Sequence, residues 1–208
     1  MRRKKSFFKK FFGFLFLCIL LGVGYYSYRN YQILKQVYQF ESQVEKATVD
    51  NGISEYKELA MGIIFTESKG LGNDPMQSSE SAFGEPNQFD NPESSIEQGV
   101  LYLAQAIKRA ESMGTDIWTA VQAYNFGLEY IDYVAERGKF NSLELAEEYS
   151  KEVLSPLLGN DEQSQYRYLG FRSITYNGGF LYHNGGNLFY ADIVKFNEFK
   201  IKATNFLF

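Results

Sequence analysis

Leu59-Ala60-Met61-Gly62-Ile63-Ile64-Phe65-Thr66-Glu67-Ser68-Lys69-Gly70 runs from a stretch with no polar face straight into a carboxylate and a helix stop. A helix that is apolar all round belongs inside a protein. Ser54 reads as its N-cap and Glu55 and Glu58 as an acidic first turn, so the expected helix covers about Ser54 to Thr66 and delivers Glu67 at its end. A carboxyl walled by Ile63, Ile64 and Phe65 loses solvation as an anion and tends to keep its proton to higher pH, which suits a general acid. A surface glutamate closing a core helix is the commoner arrangement, and Glu67 by itself does not decide between the two.

Downstream, residues 70–91 are rich in Gly, Ser, Asn and Pro, with Leu71, Met76, Phe83 and Phe89 as apolar anchors. A loop this long within a compact domain is usually functional or disordered. Its Gln77, Ser78, Ser79, Ser81, Asn87 and Gln88 would suit a polyhydroxylated ligand, and would equally suit a solvated loop. Asn91-Pro92 then sets a cap and a first-turn proline for a helix to about Met113, stopped by Gly114, with Ile96, Val100, Leu101, Leu103, Ala104 and Ile107 as its buried stripe. Thr115 and Asp116 start a helix through Trp118, Val121 and Tyr124 that ends around Asn125-Phe126-Gly127. Further helices carry Leu128, Ile131 and Val134, and run from about Ser142 to Leu154 with Asn141 or Ser142 as cap and Pro156 as stop. Two Asn-Gly-Gly triplets, at 177–179 and 184–186, predict short hairpins or an ordered aromatic loop. A closing helix from about Leu188 to Phe199 places Tyr190, Ile193, Val194 and Phe199 inward, so the whole reads as mainly α.

Upstream, Arg2, Arg3, Lys4, Lys5, Lys9 and Lys10 precede the uncharged run Phe11 to Tyr26, the layout of a secretory signal or signal anchor. Phe7 and Phe8 before it and Tyr25, Tyr26 and Tyr28 after it read as interfacial belts and favour the anchor, while Gly22-Val23-Gly24 is a weak cleavage site. Cys18, deep in the run behind Leu17, reads as a membrane-buried thiol rather than a lipidation site. The basic block places the N-terminus inside and the bulk of the chain outside. The expected organisation is a basic cytoplasmic segment at 1–10, a signal anchor at 11–28, a juxtamembrane helical linker at 29–52 with Ile33, Val37, Phe40 and Val44 on one stripe, and the functional domain at 53–208. Beyond Lys35 the chain is acidic, with 25 carboxylates against the remaining basic residues, and it has no patch to neutralise phosphates; nucleic acid is excluded as a partner. A single histidine, His183, with no ligand company reads as structural, so neither a metal nor a cofactor is expected.

Glu67-Ser68 at a helix end, Met76-Gln77-Ser78 in the loop after it, and Gln122-Ala123-Tyr124-Asn125-Phe126-Gly127 at the end of a later helix occur in the order seen in soluble lytic transglycosylases. Together they resemble the lysozyme-like superfamily of peptidoglycan-cleaving enzymes, of goose-type/lytic transglycosylase-like helical fold. The nearer likeness is to the Gram-positive CwlT-type muramidase/lytic transglycosylase group, which includes the pneumococcal vaccine antigen A type, through residues 76–81, 91–103 and 123–127. The resemblance covers about Ser54 to Pro156, and residues 184–194 close the same domain. It implies Glu67 as catalytic acid/base and Ser68, Gln77, Ser78, Ser79, Tyr124 and Asn125 as substrate-binding, with peptidoglycan glycan strands as substrate and cell-wall machinery as candidate partners. The interval from Glu67 to Met76-Gln77 is shorter than in typical soluble transglycosylases. The implied reaction is cleavage between N-acetylmuramic acid and N-acetylglucosamine by a single glutamate, giving 1,6-anhydro ends. A hydrolytic muramidase would need a second carboxylate, for which Asp74, Glu80 and Glu85 are the loop candidates. A non-catalytic wall-binding or scaffold protein on the same fold is the alternative from another class.

Overall fold

The computed structural model describes residues 2–79, 84–85 and 88–208, with side chains from residue 9 onward; Glu80, Ser81, Phe83 and Asn87 of the loop, and the side chains of Phe7 and Phe8, lie outside these. The first helix, α1 (Arg2–Tyr38), is continuous from the basic block through the apolar run. From Lys9 to Tyr38 it is long and apolar enough to cross a membrane, and its apolar window is not buried against the rest of the protein. Its last turns behave differently: Leu34 and Val37 are buried in the core. A two-residue break leads into α2 (Glu41–Asp50), which buries Val44, Ala47 and Thr48. Segment 29–52 is therefore more than the spacer its stripe suggests, because Val37 and Val44 face the folded body rather than solvent or another chain.

The centre of the fold is α3 (Lys57–Glu67), in which every residue from Leu59 to Phe65 is buried. Burial of each of its large side chains is worth about 1.5–3 kcal/mol before the entropy of ordering is counted. Ser54 does not cap this helix: Ser54–Tyr56 forms a separate 3₁₀ turn, and α3 follows it without a side-chain cap. Lys57 at the start of α3 pairs with Glu41 of α2 at 2.9 Å, which ties the two helices.

Next along the chain come α4 (Pro92–Met113), which packs on α2, then α5 (Ile117–Phe126), which packs on α4, followed by α6 (Glu129–Ala135) and α7 (Leu143–Tyr149). The caps of α4, α5 and α7 are those the sequence predicts: Asn91 accepts from the Ser94 N–H, Asp116 from Thr119 and Ser142 from Leu145, while Gly114 closes α4 in the left-handed conformation. Leu101 departs from its predicted stripe and is exposed, whereas Ile96, Val100, Leu103, Ala104 and Ile107 are buried. A π-helical turn at Ser150–Leu154 prolongs α7, and helix continues through Ser155–Leu157, so Pro156 does not stop the helix as expected: it sits in the first turn of this last piece, where its missing N–H costs little, and the helix ends after Leu157.

The tail carries one two-stranded antiparallel sheet, β1 (Gln165–Arg167) against β2 (Phe180–Tyr182), with Tyr166 opposite Leu181. No Asn-Gly turn joins these strands directly: α8 (Phe171–Asn177) lies between them, and the first triplet closes that helix, with Gly178 at φ 79°. The last helix, α9 (Tyr190–Thr204), packs along α3. The two approach so closely at Gly62 that a Cβ there would lie 3.1 Å from the backbone nitrogen of Glu198. Tyr190 and Val194 are buried as predicted, but Phe199 is exposed because the inward face continues instead through Asn197 and Ile201.

Candidate active site

Glu67 is the last residue of α3, and the chain turns sharply after it through Lys69 (φ 59°) and Gly70 (φ 74°). Gly70 is required on two counts, since a Cβ there would also lie 2.8 Å from the carbonyl carbon of Gln36 on α1. The Ser68 hydroxyl donates to the Pro75 carbonyl at 2.8 Å and accepts from the Gly70 N–H at 3.1 Å. It fixes the start of the loop and does not line the groove described below.

Asp74 organises the loop that follows. Its Oδ1 accepts from the Ser78 N–H at 2.9 Å and from the Ser95 hydroxyl at 2.6 Å. Its Oδ2 accepts from the Ser79 N–H at 3.3 Å and from the Ser79 hydroxyl. Burial by itself would raise the Asp74 pKa, but the hydrogen bonds from Ser79, Ser95 and the backbone of Ser78 and Ser79 outweigh it and hold the carboxyl below its ordinary value. A carboxylate offers about four acceptor sites, and the structure fills them with four donors. Asp74 is thus a buried anion consumed by the loop. Ser79, fully buried, spends its hydroxyl on Asp74 and on the Gln88 N–H rather than on the groove. Glu85 is exposed, with Gln88 at 3.5 Å.

Beside this loop opens a groove of about 510 Å³. Gln77, Ser78, Tyr124 and Asn125 line it, together with Tyr102, Phe126, Gly127, Leu154, Leu158, Asn184 and Gly186. Gln77 reaches it through a left-handed backbone (φ 48°), with its amide donating to the Asp74 carbonyl at 2.9 Å. The Ser78 hydroxyl donates to the Ser95 carbonyl at 2.8 Å. Tyr124 donates to the Met76 carbonyl at 2.9 Å, and a Cβ on Gly99 would lie 2.6 Å from Met76 Cβ and 2.9 Å from the Tyr124 oxygen. Helix α4 can therefore approach the loop and Tyr124 only because position 99 is glycine.

Glu67 is not itself on the lining of that groove, and a residue the sequence leaves on a core stripe makes the link. Tyr190 of α9 donates to Glu67 Oε1 at 2.5 Å, and its ring lies parallel to that of Tyr124 with centroids 6.3 Å apart. Burial first, and the neighbouring Glu67 charge second, push both phenols well above their ordinary pKa, so each is a neutral donor.

The α5 motif explains how Tyr190 arrives there. Gln122 donates to the Asn187 carbonyl at 2.9 Å and accepts from the Ala191 N–H at 3.1 Å. Asn125 Oδ1 accepts from the Asn187 N–H at 2.7 Å. The two amides clamp residues 187–191 and so aim Tyr190 at Glu67. Gly186, in the second triplet, makes the approach possible: a Cβ there would lie 2.9 Å from Asn125 Oδ1. The sequence signal for Gln122 is an amide on an otherwise apolar helix. Tyr190 has no such signal beyond its hydroxyl, 123 residues from Glu67 along the chain.

Among the described residues no cluster of three or more His, Cys, Asp or Glu side chains could hold a metal ion. His183 is exposed with its ring beside that of Tyr166, and its carbonyl accepts from Ser155.

A family model described as lysozyme-like matches residues 34–198. The chain is 44% identical over 196 residues to pneumococcal vaccine antigen A of Streptococcus pneumoniae, covering 94% of this chain and 96% of that protein. It is 35% identical over 131 residues to the bifunctional muramidase/DL-endopeptidase CwlT of Bacillus subtilis, covering 63% of this chain and 39% of that protein. A solved Staphylococcus aureus protein, described as similar to a lipoprotein of the NLP/P60 family, superposes with a TM-score of 0.71 at 36% identity over 78% of this chain and 52% of that one.

Proposed function

This chain belongs to the lysozyme-like family, and we propose from that membership that it is a peptidoglycan glycosidase in which Glu67 serves as the acid/base of a lytic transglycosylase. The observation that carries the reading is the hydrogen bond from Tyr190 to Glu67 at 2.5 Å, made beside a groove lined with amides and aromatics. Such a groove suits sugar rings, whose faces stack on aromatics and whose hydroxyls bond to amides.

In the proposed reaction Glu67 gives its proton to the oxygen linking N-acetylmuramic acid to N-acetylglucosamine. The C1–O bond breaks, and positive charge develops on the muramoyl ring. The carboxylate then takes the proton of the muramoyl C6 hydroxyl as that oxygen bonds to C1, closing the 1,6-anhydro ring without water. Tyr190 holds Glu67 in place for both transfers. Gln77, Ser78, Tyr124 and Asn125 form the sugar-facing wall, while Ser68 and Ser79 support the loop from behind.

The state of Asp74 favours ring closure over hydrolysis. A hydrolytic partner needs a carboxylate able to activate water or shield the cation, and the acceptor sites of Asp74 are already occupied. The muramidase named among the relatives keeps hydrolysis as the second reading. For location, we place the anchor at 11–28 and the exterior catalytic unit from the last turns of α1 onward, since the core includes Leu34 and Val37.

Release of soluble fragments from purified peptidoglycan by the protein, and its loss in Glu67→Gln with unchanged thermal unfolding, is the expected result. A Glu67→Gln variant as active as the native protein would refute the assignment, and strong glycan binding without any release by the native protein would favour a wall-binding scaffold.

A further inference from the structure

The groove has two chemically different parts. Around Tyr124, whose ring faces the Tyr190 that binds Glu67, it presents amides and phenols. The other part is aliphatic, where Leu154 and Leu158 meet Asn184 and Gly186. Long-range bonds build this second part. The Ser150 hydroxyl, in the π-helical turn Ser150–Leu154, donates to the Gly185 carbonyl at 2.7 Å, and the Ser155 hydroxyl donates to the His183 carbonyl at 2.8 Å. The Asn184 amide donates to the Leu158 carbonyl at 2.8 Å. A Cβ on Gly185 would lie 2.5 Å from the Ser150 hydroxyl oxygen, so the second triplet seats against the π-turn only with glycine there. Such turns are rare and often stand at functional sites. Leu157 and Leu158, 75% and 56% exposed, carry the aliphatic surface out of the groove.

Bare glycan does not account for the leucines. Sugar faces stack on aromatic rings and sugar hydroxyls need polar partners, and a branched aliphatic side chain supplies neither. What the strand carries besides its sugar rings is the lactyl ether of each muramoyl unit. Amide-linked to a peptide, that group is neutral and leads into further methyl-bearing residues; once the peptide is removed, it is a carboxylate. None of the described lining residues is Lys, Arg or His, so a free lactyl carboxylate would enter beside leucines with no counter-charge, which is costly. Glu129 adds to that cost. A Cβ on Gly127, which lines the groove, would lie 3.4 Å from Glu129 Oε2, and the Glu129 charge joins burial in raising the Tyr102 phenol. The amide-linked form instead offers methyl groups to Leu154 and Leu158 and a peptide N–H to the Asn184 amide oxygen, which no donor among the described residues reaches.

We infer that the substrate is glycan still carrying its peptides, with the lactyl group and the first peptide residue seated on Leu154 and Leu158, and that Leu158 determines this specificity. The inference rests on the glycosidase reading above. Amide hydrolysis that strips peptides from the strand removes the substrate, so this protein acts before that class of reaction rather than after it.

The test uses the full chain in detergent with two probes: short uncrosslinked glycan strands bearing their peptides, and the same strands after an amidase has cut the peptides from the lactyl groups. The native protein should show a kcat/KM at least about tenfold higher on the peptide-bearing strands, because the stripped ones bring an uncompensated carboxylate into the groove. Leu158→Lys sets a cation beside the lactyl group; it should raise kcat/KM on stripped strands by about threefold or more and lower it on peptide-bearing ones. Leu158→Ser removes the apolar contact without adding charge; it should lower kcat/KM on peptide-bearing strands by about fivefold and bring no gain on stripped ones. Both variants replace an exposed side chain, and native-like thermal unfolding checks that they fold. Equal kcat/KM on the two strands, faster cleavage of the stripped strands, or a native-like preference in both variants overturns the inference while leaving the glycosidase reading intact. A native protein that cleaves neither strand overturns both.

Discussion

Replacing Asp74 by asparagine separates a structural carboxylate from a catalytic one. In the native loop Asp74 takes four hydrogen bonds, two from backbone N–H groups and two from the hydroxyls of Ser79 and Ser95. The least disruptive asparagine puts its amide nitrogen in place of Oδ2. The Ser79 hydroxyl can then reverse and accept, but the Ser79 N–H cannot and is left without an acceptor, which costs about 1 kcal/mol. The bonds kept by Oδ1 lose their charge assistance, about 1 kcal/mol each. The sum is about 3 kcal/mol, partly offset by burying a neutral group instead of an anion, so about 2–3 kcal/mol should be lost. For a domain of this size that corresponds to about 4–12 °C in Tm. Thermal unfolding followed by circular dichroism between pH 3 and 8 reads it directly. The Asp74 pKa is depressed in the folded protein, so its stabilisation is present above the unfolded value of about 3.9 and is lost as pH falls through the folded value. The gap in Tm between native and Asp74→Asn should therefore be full at neutral pH and shrink below about pH 4. Glycan cleavage at a temperature where both proteins are folded should fall by less than about tenfold, since a loosened loop costs less than a lost catalytic group. An Asp74→Asn protein with native Tm and no activity would refute the structural role and make Asp74 the second carboxylate of a hydrolase.

Tyr190→Phe removes the hydroxyl on Glu67 while keeping the ring that faces Tyr124, so kcat should drop by about 10–100-fold, the worth of a hydrogen bond to a charged group, with KM and Tm little changed; steady-state kinetics on glycan strands checks it. Gln122→Ala strands the Asn187 carbonyl and the Ala191 N–H; it should cost about 2–4 kcal/mol and speed hydrogen exchange at the Ala191 amide well before that of the α3 amides. Gly99→Ala drives a methyl into Met76 and Tyr124, and overpacking of this kind should lower stability by about 1–3 kcal/mol together with activity, measured by denaturant unfolding and fragment release.

What the sequence makes legible follows the range of the interactions involved. Asn91, Asp116, Ser142 and Gly114 are local signals that act within a turn, and each stands where it was expected. The uninterrupted apolar run of α3 identifies the core helix, because no other environment tolerates it. Ser54 misleads because a 3₁₀ turn set by Ile53 and Tyr56 precedes the helix proper. The Asn-Gly-Gly triplets signal tight turns correctly but not what they join: the first closes α8, and the second lets the chain pass under Asn125. The site is harder still. Ser68 and Ser79 have the composition of sugar-binding residues, yet their hydroxyls are committed to Pro75 and Asp74. Nothing in their local sequence distinguishes a hydroxyl that faces a groove from one that ties a loop. Tyr190 and Gln122 acquire their roles from α9 lying against α3 and α5, a long-range fact that periodicity registers only as burial.

The chemical identity of the glycan ends left by the enzyme bears most directly on Glu67 working alone. Mass spectrometry of muropeptides released from purified peptidoglycan should show muramoyl ends lighter by one water, the 1,6-anhydro form, in the native protein and no released muropeptides in Glu67→Gln. Reducing ends alone from the native protein would contradict the single-carboxylate mechanism and require a second group that activates water.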